Sequence, residues 1–121
     1  MPLEAGAPAA RPCTFDSFWI AGFECACHRN ATGKRLDMIA AVQHDRFAYE
    51  DYAMLRDAGI RTARDGVRWH LIDRGSKYDF CSVAPMAGAA ERAGVQVIWD
   101  LCHYGWPDDV DVLRPAFVDR F

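Results

Sequence analysis

The sequence predicts an α/β protein with parallel strands, and three observations predict it. Three apolar stretches, Phe15 to Glu24, Ile60 to Arg64 and Val95 to Leu101, alternate with segments of helical character. That order is the one strands joined by crossover helices produce. Val95 to Leu101 (V-Q-V-I-W-D-L) is β-branched and apolar on both of its alternating faces, with Asp100 its one charged member, as in a strand covered on two sides. Gly59 and Gly94 each stand just ahead of a strand, where helices commonly end in left-handed backbone.

Taken in order, Met1 to Thr14 holds Pro2, Pro8 and Pro12 among small residues and reads as a poorly ordered leader, leaving 15–121 as the folded part. Phe18, Trp19, Ile20 and Phe23 make Phe15 to Glu24 the first strand. Cys25 to His44 is long for a connection within a compact domain, so it is expected to be a functional loop that hides a short helix near Leu36 to Val42. Asp45 offers an N-cap, and Phe47, Tyr52, Leu55 and Ala58 fall on one face of a helix closed by Gly59. Ile60 to Arg64 is the second strand, with Val67 to Ile72 continuing it before the turn residues Asp73 to Ser76. Ser82 caps a helix with Pro85 in its first turn and Val83, Met86, Ala90 and Ala93 on one face. Val95 to Leu101 follows, and Arg114-Pro115 opens a last helix. Three βα units are too few to close a barrel, and a complete (β/α)8 barrel takes about 250 residues. The chain therefore reads as an N-terminal section of one, an incomplete barrel.

Composition narrows the function. With 121 residues, 51% hydrophobic and 26% charged, the chain makes one globular domain at most. The net charge of -3 comes from 14 basic and 17 acidic residues without clustering, which supplies no basic surface for nucleic acid. No apolar run is long enough for a membrane span, and the N-terminus lacks the pattern of a signal peptide, so a cytoplasmic protein is expected. In that setting the five cysteines are thiols. Just past the third strand, Cys102-His103-Tyr104-Gly105-Trp106-Pro107-Asp108-Asp109 gathers imidazole, aromatic rings and carboxylates into one short loop. In parallel α/β folds, loops at the carboxyl ends of the strands line the ligand site.

Two motifs carry a resemblance. Arg64-Asp65-Gly66-Val67-Arg68-Trp69 resembles the R-x-x-x-x-W pattern at the second strand of family-1 glycoside hydrolases, the retaining β-glucosidases. Leu101-Cys102-His103-Tyr104-Gly105-Trp106-Pro107 is similar to the third-strand L-x-H-W-D-x-P of that family, with Tyr104-Gly105 standing where the family has Trp-Asp. The resemblance implies a glycosidase barrel acting on O-glycosidic bonds with a carbohydrate substrate, and no cofactor or metal. It implies that Arg64 holds the nucleophilic carboxylate, that His103 bonds a sugar hydroxyl, and that Trp69, Tyr104 and Trp106 offer flat faces to pyranose rings. Glu24, ending the first strand, is a further candidate for sugar hydroxyls. The family's acid and nucleophile follow its fourth and seventh strands. No catalytic residue is therefore expected within these 121 residues, which need the rest of the barrel to act.

Two other readings stay open at this point. Cys25-x-Cys27-His28 and Cys102-His103 bring zinc-preferring ligands to one rim, although no C-x-x-C pairing is present. A non-catalytic sugar-binding or scaffolding module of a longer fusion protein is the second. A phosphate loop at Gly33-Lys34 fails, because Arg35 stands where Ser or Thr must be.

Overall fold

The structure, a computed structural model, describes residues 13–121. Most of the expected leader lies outside the described residues; Thr14, its last member, offers its carbonyl to Gln96 Nε2 at 3.0 Å. Three strands, β1 (Ile20–Gly22), β2 (Thr62–Gly66) and β3 (Gln96–Asp100), form one parallel sheet in the order β1-β2-β3. Among the described residues five helices accompany them: α1 (Met38–Ala41), α2 (His44–Asp57), α3 (Trp69–Ile72), α4 (Ala84–Ala93) and α5 (Ala116–Arg120). No helix among the described residues is long and apolar enough to cross a membrane.

Register decides which residues share a face. Gly22, Arg64 and Ile98 lie in one row, Ile20, Thr62 and Gln96 in another, and Gly66 pairs with Asp100. Side chains alternate along a strand, so Ala63 and Asp65 point the opposite way from Thr62 and Arg64. Ala21, Ala63 and Val97 turn toward Ala48 and Tyr52 of α2 and Met86, Ala89, Ala90 and Ala93 of α4, and this is the core. Helix α4 can come close because its inner face is mostly alanine, and Gly94 closes it with φ of 70°. The opposite face of the sheet leaves Ile20 and Ile98 exposed.

Several expected boundaries move. The first strand is three residues long, although Phe23 N still donates to the Arg64 carbonyl at 2.9 Å. Before it, Ser17 Oγ accepts from the amides of Arg61 and Thr62, and this side-chain bonding replaces a strand ladder. The expected helix in the long loop is α1, capped by Asp37, whose carboxylate accepts from Ala40 N at 3.0 Å. Helix α2 starts at His44, one residue before Asp45, after Gln43 in the left-handed region with φ of 59°. Asp45 has another task, since with Asp37 it holds Arg68 Nη1, at 3.0 and 3.1 Å. Phe47 breaks the helical geometry and faces solvent, so the buried stripe of α2 is His44, Ala48 and Tyr52. Val67 to Ile72 does not extend β2. Leu71 N and Ile72 N turn back to the Arg68 carbonyl and form α3. Val83 occupies the cap position of α4 that Ser82 was expected to fill.

Candidate functional site at the strand ends

The carboxyl ends of the three strands bring charged and polar groups together. Glu24 follows β1, Arg64 lies within β2, Asp100 ends β3 and His103 follows three residues on. The Arg64 guanidinium bonds the Asp100 carboxylate through Nη2, which also stands 3.4 Å from His103 Nδ1. Cys25 Sγ lies 3.1 Å from the same Nδ1, Asp100 Oδ2 lies 3.9 Å away and Glu24 Oε1 4.0 Å. The bond to Asp100 raises the pKa of Arg64 further, so this guanidinium is a fixed positive charge. Glu24 is itself steadied by the Ala26 amide, which donates to Oε1 at 2.9 Å. Glu24, Arg64 and His103 thus share one rim.

Two glycines make the rim possible. A Cβ on Gly66 would lie 2.5 Å from Cys25 Cβ and Sγ, and one on Gly105 would lie 2.3 Å from the Cys27 carbonyl oxygen. Only glycine lets Cys25-Ala26-Cys27 thread between the end of β2 and the loop after β3. The fit leaves Cys25 and Cys27 buried, and burial pushes both thiols up to about 11.

The three aromatic candidates separate. Tyr104, at φ of 56°, is 70% exposed and leans on the His103 ring at 4.9 Å between centroids. Trp106 is half-buried and lines a small cleft with Tyr104, Arg29, Arg35 and Asp108. Arg35 braces that cleft, donating to the carbonyls of Cys27 and Trp106 and to the Asp108 carboxylate at 2.5 Å. Trp69 lies apart. It is buried, with Phe117 and Phe121 edge-on to it at 5.8 and 5.3 Å, beside an apolar cavity of about 250 Å³ that Tyr78, Phe80 and Leu101 also line. Its ring packs against α5.

The Cys/His set of the alternative zinc reading also divides. Of its members only Cys25 and His103 meet; Cys27 presses on Gly105, and Cys102 Sγ donates to the Gly105 carbonyl at 3.6 Å. Asp100 joins the rim without having been among the candidate site residues. Its signal was available, since Arg64 and Asp100 both belong to the sheet face that looks away from the helices.

On the other face of β2 a second polar group is fully buried. Asp65 accepts from Tyr52 Oη, from Gly66 N at 2.7 Å and from His44 Nε2 at 2.7 Å, while His44 Nδ1 reaches Asp51 at 2.6 Å. Burial works against a charged His44, but the hydrogen bonds of Asp65 and Asp51 outweigh it and raise its pKa above the ordinary value. Burial and the same Asp65 carboxylate raise the pKa of the Tyr52 phenol, which stays a donor. Phe23 stacks on the His44 ring at 4.0 Å, tying the end of β1 to this group.

No family model matches the chain, and no curated protein matches it. Among solved structures it is similar to the exo-beta-1,4-mannosidase Op5Man5 from Opitutaceae bacterium strain TAV5, at 19% sequence identity and a TM-score of 0.60. The match covers 84% of this chain and 20% of that one, so the chain spans about a fifth of the length of the protein it resembles. The likeness is one of fold: the three-stranded parallel sheet and its helices share the fold of part of a glycosidase.

Proposed function

We propose that this chain is the N-terminal section of a retaining, β-glucosidase-like glycoside hydrolase of the (β/α)8 kind, supplying sugar-binding rim residues and neither catalytic carboxylate. The observation that carries the reading is the meeting of Glu24, Arg64, Asp100 and His103 at the carboxyl ends of three parallel strands, the end at which barrel enzymes bind substrate. The glycosidase fold of the similar structure supports it.

Chemistry assigns the roles. Arg64 bonds Asp100 through Nη2 alone, so its remaining N–H groups are free to hold the nucleophile in the fork geometry that keeps a carboxylate ionised and aimed. His103 makes its rim contacts through Nδ1, which leaves Nε2 for a sugar hydroxyl. Tyr104 and Trp106 supply apolar faces, and Glu24 accepts from hydroxyls. Trp69 acts through packing, by seating α5 beside the end of β2.

Retaining hydrolysis needs two carboxyl groups about 5–5.5 Å apart, one protonating the leaving oxygen and one attacking the anomeric carbon. The carboxylates at this rim are occupied otherwise: Asp100 by Arg64, Asp108 by Arg35 and Glu24 by the Ala26 amide. Purified residues 1–121 should therefore not hydrolyse an aryl β-glycoside, whereas the protein from the reading frame extended through an Asn-Glu pair after a fourth strand and a Glu after a seventh should. Turnover by residues 1–121 that is abolished by changing Glu24 or Asp100 would overturn the assignment.

A further inference from the structure

The rim also presents metal-ligand atoms of three kinds. Cys25 Sγ, His103 Nδ1 and an Asp100 carboxylate oxygen lie within 4.8 Å of one another, and Glu24 Oε1 is 4.0 Å from the same nitrogen. In a tetrahedral site with metal–ligand bonds of about 2.0–2.3 Å, ligand atoms stand roughly 3.3–3.8 Å apart. The observed 3.1 Å from sulfur to nitrogen and 3.9 Å from nitrogen to oxygen bracket that spacing. A cation already stands there, since Arg64 Nη2 touches Asp100 and approaches His103 Nδ1.

We propose that Cys25, Asp100 and His103, with Glu24 as a fourth donor, form a binding site for a thiolate-preferring divalent cation such as Zn²⁺, which enters by displacing the Arg64 guanidinium. The donor set of one sulfur, one imidazole nitrogen and carboxylate oxygens suits zinc and disfavours magnesium or calcium, which take oxygen alone. Arg64 covers the group from the solvent side and is 44% exposed, so its long side chain can leave into water without opening the core. On binding, the Cys25 thiol gives up its proton to solvent and sulfur bonds the metal. Metal and guanidinium then exclude each other. This site does not depend on the glycosidase reading.

The test uses the purified chain and Co²⁺ as a spectroscopic substitute for Zn²⁺. The expected result is a thiolate-to-cobalt charge-transfer band that Zn²⁺ abolishes. The band should be lost in Cys25→Ser, weakened in His103→Gln, and kept in the double variant of the exposed thiols, Cys13→Ser with Cys81→Ser. Arg64→Gln removes the competing charge and should tighten binding about tenfold, the effect of one nearby like charge partly screened by water. Far-UV circular dichroism checks each fold. Because Cys25 is buried, the part-exposed His103 and Arg64 variants decide the matter where Cys25→Ser fails to fold. No charge-transfer band, a band that survives Cys25→Ser, or an affinity unmoved by both His103→Gln and Arg64→Gln would overturn the proposal.

Discussion

His44→Ala removes the imidazole that joins α2 to β2, and the structure sets the size of the loss. Asp65 is completely buried, and without His44 its carboxylate keeps only the Tyr52 hydroxyl and the Gly66 amide. Breaking a buried pair from one side costs about 3–5 kcal/mol. The Asp51 side of His44 adds little, since that carboxylate is 34% exposed and water replaces its partner. We therefore expect a loss of about 3 kcal/mol, the lower end of that range. With a urea slope of about 1.5 kcal/mol/M, the midpoint should fall by roughly 2 M when unfolding is followed by tryptophan fluorescence. The pH dependence has a definite sign. His44 has a raised folded-state pKa, so its contribution is whole below about pH 6.5, the unfolded value, and fades as pH rises through the folded value. The stability gap between wild type and His44→Ala should narrow toward alkaline pH. A loss under about 1 kcal/mol, or a gap that widens with pH, would refute a charged His44 clamped by Asp65.

Two further predictions concern the rim. Gly66→Ala and Gly105→Ala should each destabilise by about 1–3 kcal/mol or more in thermal melts. Cys25→Gly should partly rescue the first, whose clash is with the Cys25 side chain, and no change at Cys27 should rescue the second, whose clash includes a carbonyl oxygen. A thiol reagent at neutral pH should modify Cys13 and Cys81 first, because these two are exposed, and reach Cys25 and Cys27 only on unfolding, because burial holds both thiols near 11. Mass spectrometry of labelled peptides gives the order, and early labelling of Cys27 would contradict the packing against Gly105.

What the sequence made legible was the repeating unit. V-Q-V-I-W-D carries the pattern of a buried strand and forms β3 over Gln96–Asp100, Gly94 ends a helix by its left-handed backbone, and strand, helix, strand order brings Glu24, Arg64 and His103 to one end. Polar partners were harder to read, because Asp45, Asp65 and Asp100 look alike as letters. Asp65 follows Arg64 directly, and adjacency hides that the two face opposite sides of the sheet. His44, Asp51 and Tyr52 are seven and eight residues apart, two turns of α2, so they share a face; with His44 assigned to a loop that pattern could not appear. The apolar run Val67 to Ile72 reads as extended, although Trp69–Ile72 is helical. One helical turn sends the Trp69 ring under α5 instead.

The most direct test of the glycosidase reading is Arg64→Lys in the protein expressed from the extended reading frame, assayed on an aryl β-glycoside. Lysine keeps the charge and loses the planar fork, so kcat should fall by about a hundredfold or more. Tm should move by only a few degrees, because the Arg64–Asp100 pair is partly exposed and water screens it. Unchanged kcat and kcat/KM with the fold intact would contradict the account and leave Arg64 as no more than the partner of Asp100.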